Sequence, residues 1–153
     1  MDDNKSPVNT RPVTKADAEA IVALDAEVTG EDKAGYWSDI LDRFTAADQR
    51  KHQCFLVATA AENEVVGFIV GEIRAWEFGS PPCGWVLAMS VSPGRREQGI
   101  GAMLLSELCT KLKKAGVATI RTMVLGNDKV NLSFFRGEGL AAGPYIELEK
   151  RLD

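Results

Sequence analysis

The sequence is poor in the residues that build several common kinds of site. His52 is the only histidine among 153 residues, so a metal site made of several histidines is excluded. Any Ser-His-Asp triad would have to use that same residue. His52 lies in the polar stretch Arg50-Lys51-His52-Gln53 and is expected to face solvent. The cysteines are few and far apart, at Cys54, Cys83 and Cys109, and no pair has the C-x-x-C spacing of a zinc or redox site. Cys109 falls inside a predicted helix and reads as a small packed hydrophobe. No apolar run approaches the roughly 20 residues that cross a bilayer. Met1-Asp2-Asp3-Asn4-Lys5-Ser6-Pro7 has no apolar stretch between a basic start and a cleavage site. Residues 1–7 therefore read as a flexible lead-in, and a reducing cytoplasm is the expected compartment. Basic charge is in short supply too. The net charge of -4 argues against a nucleic-acid partner, and nothing points to a membrane partner.

What is present is one domain's worth of ordinary globular sequence, 45% apolar and 26% charged. Residues 8–13 read as a first strand. Thr14, with Asp17 three positions on, resembles a capping box. Ala18, Ile21, Val22, Leu24 and Val28 follow at helical spacing and Gly30 stops them. A second helix is expected over about 33–44, with Tyr36, Trp37, Ile40, Leu41 and Phe44 on one side. The period then changes to that of strands over 54–60 and 65–74, joined by the turn Glu62-Asn63-Glu64. Gly79-Ser80-Pro81-Pro82 breaks the chain before a strand over 84–91. The clearest element is a helix over about 99–115, where Ile100, Leu104, Leu108 and Leu112 recur every four residues. Strands over 117–125 and 145–152 flank a short helix at about 129–136. The expected order is β-α-α-β-β-β-α-β-α-β, an α+β domain over 8–153 around a mixed, mostly antiparallel sheet.

Chemistry is concentrated in Val91-Ser92-Pro93-Gly94-Arg95-Arg96-Glu97-Gln98-Gly99-Ile100-Gly101, between a strand and the long helix. A helix start offers unpaired N–H groups and partial positive charge, which suit an anion. Gly99 and Gly101 let backbone approach phosphate oxygens, and Arg95 and Arg96 supply guanidinium donors. Together these describe a diphosphate site. A dinucleotide fingerprint would need a third glycine where Leu104 stands, and a P-loop would need a Gly-Lys-Ser/Thr that is absent.

Arg96, Gly99 and Gly101 in that setting resemble the Arg/Gln-x-x-Gly-x-Gly/Ala signature of the GNAT superfamily of acetyl-CoA-dependent acyltransferases. Asn127, the run Phe134-Phe135-Arg136-Gly137-Glu138-Gly139-Leu140, and the opening Arg11-Pro12-Val13-Thr14-Lys15-Ala16-Asp17 resemble further family segments, so the likeness runs over about 8–152. It implies an N-acetyltransferase in which a primary amine attacks the thioester of acetyl-CoA directly. It places the cofactor on Met89, Ser90, Val91, Arg95, Arg96, Gln98, Gly99, Ile100, Gly101, Ala102, Asn127, Asn131, Phe134 and Phe135. Asn127 and Asn131 are rivals for one family asparagine. The Val91 N–H becomes a candidate oxyanion donor.

Two departures from the family pattern bear on catalysis. Trp85 and Leu87 stand where many members carry a strand glutamate, which leaves Glu72, and less so Glu27, as candidate bases against a reading of Glu72 as a surface carboxylate. Phe135 stands where the family tyrosine protonates the leaving thiolate. Tyr145, on the expected last strand, is the candidate replacement, or simply packs in the sheet. These departures keep a second reading open, a non-catalytic acyl-CoA sensor. On the acceptor side, Asp25, Glu27, Glu31, Asp32, Asp39 and Asp42 form an acidic region, read as a rim for a cationic amine or as a solvated face. Tyr36, Trp37, Trp76 and Trp85 are read as pocket walls or as core. The acceptor is a protein lysine, an N-terminus or a small-molecule amine, and a homodimer is open.

Overall fold

The computed structural model describes residues 6–46 and 52–153, so Arg50 and Lys51 lie outside the described residues, while His52 is exposed as expected. The chain groups into two compact units, one up to Met123 and one from Val124 to Asp153, each taken here by itself. Among the described residues, no helix is long and apolar enough to cross a membrane.

The first unit runs β1 (Asn9–Pro12), α1 (Ala18–Thr29), α2 (Ala34–Thr45), β2 (Gln53–Thr59), β3 (Val65–Arg74), β4 (Cys83–Val91), α3 (Ile100–Lys114) and β5 (Ile120–Arg121). The five strands form one sheet in sequence order, antiparallel throughout except for the parallel pair β4–β5. This is the mixed α+β class expected from the periodicity. The entry to α1 is the expected capping box: Asp17 accepts from the Thr14 N–H at 2.8 Å. Gly30, at φ +80°, closes the helix from the left-handed region that glycine adopts without strain.

The two faces of the sheet are covered differently. On one, Phe55, Val57, Phe68 and Val70 pack against Ile21, Leu24, Trp37, Ile40, Leu41 and Phe44 of α1 and α2. Each such side chain contributes about 1.5–3 kcal/mol by leaving water. On the other face the strands present glycine to the ridge of α3. A Cβ on Gly67 would lie 3.2 Å from Ile100 Cγ2, on Gly71 2.7 Å from Leu108 Cδ1, and on Gly84 2.5 Å from Leu112 Cδ1. The four-residue recurrence of Ile100, Leu104, Leu108 and Leu112 is thus matched by a row of missing side chains beneath it. The helix lies close on the sheet, with Leu104 and Leu108 fully buried.

The second unit is built on α4 (Lys129–Gly137), whose start is capped by Asp128 accepting from the Asn131 N–H at 3.1 Å. Phe135 is its buried side chain, in an edge contact with Phe134.

Two expectations need correction. The strand over 117–125 shrinks to Ile120–Arg121, paired only with Gly84 and Trp85. Just beyond, Thr122 reaches β4 through its hydroxyl, which donates to the Val86 carbonyl at 3.0 Å. The strand over 145–152 is absent: those residues join no ladder, and every residue from Ala141 to Asp153 is exposed. Tyr145 therefore does not sit on a last strand. Alternation in sequence supplies a face, but a strand exists only where a neighbour takes up its backbone groups.

A cofactor cradle where β4 ends and α3 begins

Three features converge at the end of β4. The first is a bulge. Val70 pairs with Ala88 but Gly71 with Val86, so Leu87 is an extra residue that bends β4 away from regular pairing. The second is the phase of the ladder beyond it. The Ser92 N–H donates to the Val66 carbonyl at 2.8 Å, which makes Val91–Gly67 a non-hydrogen-bonded pair. The N–H and C=O of Val91 therefore point away from β3, and by alternation so do those of Met89, while Ser90 spends its backbone groups on Phe68. The third is that β5 has already left: it pairs with β4 only at Gly84 and Trp85. A wedge opens beside β4, edged by the outward amides of Met89 and Val91.

The loop that follows turns its own amides into a second cluster. Glu97 and Gly99 both have positive φ, +64° and +78°, with Gln98 between them outside that region. Such alternation gathers successive N–H groups around a concavity, a nest for an anion. A non-glycine residue held at positive φ, as Glu97 is, is a strained conformation that tends to mark functional loops. Gly99 is the N-cap of α3 and no side chain caps the helix, so the amides of Ile100, Gly101 and Ala102 keep their donors and the positive end of the dipole. Nothing lies within 4 Å of where a Cβ on Gly99 would sit. Val8, Glu97, Gln98, Gly99, Ile100 and Met103 line an open hollow of about 520 Å³ here.

The two arginines differ. Arg95 is mostly covered and lies 3.7 Å from Glu64 of the β2–β3 turn, so it braces the loop from behind. Arg96 is exposed and has no ion pair among the described residues. The donor set therefore fits a diphosphate: a nest, an uncapped helix start and one available guanidinium.

The comparison with known families agrees with this geometry. A family model described as the acetyltransferase (GNAT) family matches residues 19–140. The chain belongs to that family. It is an acetyl-CoA-dependent N-acetyltransferase, with acetyl-CoA as co-substrate. No curated protein matches the sequence. Among solved structures, aminoglycoside N-acetyltransferase AAC(6')-Iy in complex with CoA is 15% identical with a TM-score of 0.81, over 99% of each chain. A transcriptional regulator from Bacillus halodurans C-125 is 20% identical with a TM-score of 0.76, over 95% of this chain and 99% of the other. The PaiA N-acetyltransferase from Thermoplasma acidophilum in complex with coenzyme A is 21% identical with a TM-score of 0.73, over 91% and 92%. At such identities the likeness is one of fold.

The other candidate residues of this acetyltransferase fall elsewhere. Glu72 pairs with Trp85 across the β3–β4 ladder and accepts from Arg74 Nε at 2.8 Å, its side chain only 12% exposed. It is four residues along β3 from Phe68, the partner of Ser90, or roughly 13 Å at strand rise. Asp25 does not belong to an acidic rim. It is buried, accepts from Trp37 Nε1 at 2.9 Å and meets Lys33 Nζ at 3.2 Å. Trp37 is core, whereas Tyr36 and Trp76 are exposed. Glu27, Glu31, Asp32 and Asp39 remain exposed around the α1–α2 turn, and Asp42 pairs with Lys15 at 3.4 Å.

Asn127, Asn131, Phe134, Phe135 and Tyr145 lie in the second unit. Asn131 is committed to Asp128, its Nδ2 donating to Oδ2 at 2.7 Å, while the Asn127 side chain has no hydrogen bond among the described residues. Phe135 is 9% exposed, so the aromatic ring that replaces a tyrosine fills the small core of its unit. Sequence reasoning missed the bulge at Leu87 and the bracing role of Glu64. Nothing in the residue types signals the first. The second was hinted at only by a carboxylate in the turn nearest two arginines.

Proposed function

We propose that this acetyltransferase transfers the acetyl group to a cationic primary amine, with amine and thioester meeting in the wedge beside β4. The observation that carries this is the outward direction of the Met89 and Val91 backbone groups, a few residues before the nest at Glu97–Gly99. Bound acetyl-CoA supplies the activated acyl group. In this reading Arg96 and the amides of Gly99, Ile100, Gly101 and Ala102 take the diphosphate, with Gln98 at the rim and Arg95 holding the loop's shape. The Met89 groups hold the pantetheine arm, and the Val91 N–H faces the carbonyl oxygen as negative charge develops there. Of the two rival asparagines, Asn127 keeps a side-chain amide to offer. Residues 8–153 act as one acyltransferase domain in the cytoplasm.

The amine must lose a proton before it attacks, because an ammonium has no lone pair. Glu72 is the proposed acceptor, reached through water given its distance along β3. Glu72→Gln then lowers turnover more than cofactor affinity; equal turnover would remove it from the mechanism. With Phe135 unable to donate, the leaving thiolate takes its proton from water or from Tyr145. A thiol's pKa of about 8.5 makes that loss tolerable.

The exposed carboxylates Glu27, Glu31, Asp32 and Asp39, with Tyr36 beside them, favour a positively charged acceptor. Several fold neighbours are aminoglycoside N-acetyltransferases, so a small multi-amine is the first acceptor to try, ahead of a protein lysine or N-terminus. The test is thiol release from acetyl-CoA with an aminoglycoside, a polyamine, a lysine peptide and a free peptide N-terminus. Turnover with at least one amine is expected. Tight cofactor binding with no turnover on any of them, from weakly acidic to alkaline pH, would instead favour the sensor.

A further inference from the structure

The C-terminal arm is built as a strand and has no sheet. From Tyr145 the residues alternate, with Ile146, Leu148 and Leu152 on one side and Glu147, Glu149 and Arg151 on the other. Those three aliphatic side chains are 84%, 89% and 91% exposed. No residue between Ala141 and Asp153 is even half-buried. Gly143 and Pro144 stand immediately before the alternation, so the arm begins where a proline can open a strand without a missing ladder donor.

The sheet of the first unit has two edges, and they are not equally defended. β1 ends in Pro12 and carries the Arg11 guanidinium, tied to Asp17 and Asn63. Proline and charge are the usual protection of an edge. β5 has neither proline nor a ladder on its outer side, and the residues that continue it leave Met123 69% exposed. Its two faces also match those of the arm. Ile120 lies on the α3 side, since a Cβ on Gly84 would meet both Leu112 and Ile120 Cγ2. Arg121 therefore points to the opposite side, and its guanidinium there donates to Ser80 Oγ at 2.8 Å. An added strand that set Ile146 and Leu148 beside Ile120 would set Glu147 and Glu149 on the side of Arg121. Apolar meets apolar and acid meets base in the same register.

We propose that the chain forms a homodimer by exchanging C-terminal arms, residues 145–152 of each copy adding as a strand to the β5 edge of the other. Exchange of an identical element is closed and two-fold, so both arms and both edges are consumed and no edge is left to polymerise. It also accounts for an arm that carries a strand's pattern while standing free in a single copy. The proposal concerns assembly and is independent of which amine is acetylated.

Sedimentation of the full chain over a hundredfold range of concentration tests it, together with amide hydrogen exchange. The expected result is a dimer in which residues 145–152 and 120–123 are protected, both losing protection together as dilution produces monomer. The double variant Ile146→Asp/Leu148→Asp is expected to be monomeric with an unchanged far-ultraviolet spectrum. As its side chains are exposed in the single copy, the fold survives; deletion of 145–153 serves as a second variant read in the same way. A wild-type chain that is monomeric at every concentration overturns the proposal, the arm then being unpaired or paired within its own chain. So does a dimer that persists in both variants.

Discussion

The α1–α2 corner and the mouth at the end of β4 treat polar groups in opposite ways. At the corner, every buried charge has its partners. Asp25 holds Trp37 and Lys33, and Asp17 takes two bonds of 2.8 Å from Arg11 and another from the Thr14 amide. At the mouth, donors are left over: the amides of Met89 and Val91, the nest at Glu97–Gly99, the start of α3 and the guanidinium of Arg96. Folding has no use for these groups, and water can satisfy them in the absence of a ligand. Satisfied polar groups mark where the chain is held together, and surplus ones mark where it binds.

That contrast can be broken at either end. The largest effect is expected at Val91, whose N–H serves no ladder bond. Val91→Pro should lower kcat by about 100-fold or more through loss of the oxyanion donor, while thermal melting moves little, since proline is tolerated where the strand's N–H faces outward. A collapse of the fold in this variant would show that the amide is structural. Next is Asp25→Ala, which strands a buried indole N–H and an ammonium. It should cost about 2–4 kcal/mol in denaturant unfolding with coenzyme A affinity per folded molecule unchanged. Arg96→Ala should do the reverse, weakening coenzyme A by about tenfold in calorimetry, about 1.4 kcal/mol, with no loss of stability. An unchanged dissociation constant would take Arg96 out of the site.

The smallest effect concerns pH. Hydrogen bonding from Arg11, above all, holds the Asp17 carboxyl below its ordinary value of 3.8, against the opposing pull of burial. Because the folded value is the lower one, the pair's contribution is complete above that ordinary value and fades as pH falls through the folded one. Wild type and Asp17→Asn should therefore differ in stability at neutral pH and converge in acid, as followed by unfolding curves at several pH values. A difference that grows on acidification would contradict the assignment.

Much of this was legible beforehand, for reasons specific to each element. The ridge Ile100, Leu104, Leu108 and Leu112 announced α3, because helix periodicity survives whatever the helix packs on. The Thr14–Asp17 box and the stop at Gly30 are local chemistry and were read from local residues. The diphosphate loop was legible because anion binding there depends on residue types the chain cannot hide, glycine and arginine. The wedge was not, since a bulge at Leu87 and the phase of a ladder are facts about pairing, invisible to either strand alone. The same blindness produced the expected last strand: Tyr145–Leu152 has the pattern, but patterns do not name partners. Asp25 was placed on an acidic rim because its neighbours in sequence are exposed, whereas its partner Trp37 lies twelve residues away.

The row of bare positions at Gly67, Gly71 and Gly84 gives the cradle a dimension. Each lets one turn of α3 come down onto the strands, so the helix axis acts as a lever whose free end is the anion-binding mouth. Gly67 is nearest that end, under Ile100 and Leu104, and its hypothetical Cβ would also meet the Ser90 carbonyl at 3.1 Å. A single methyl there would lift the tip relative to Met89 and Val91. Cofactor grip and seam thickness are in this sense one variable, and small shims along the seam would retune how deeply the diphosphate seats without touching any group that contacts it.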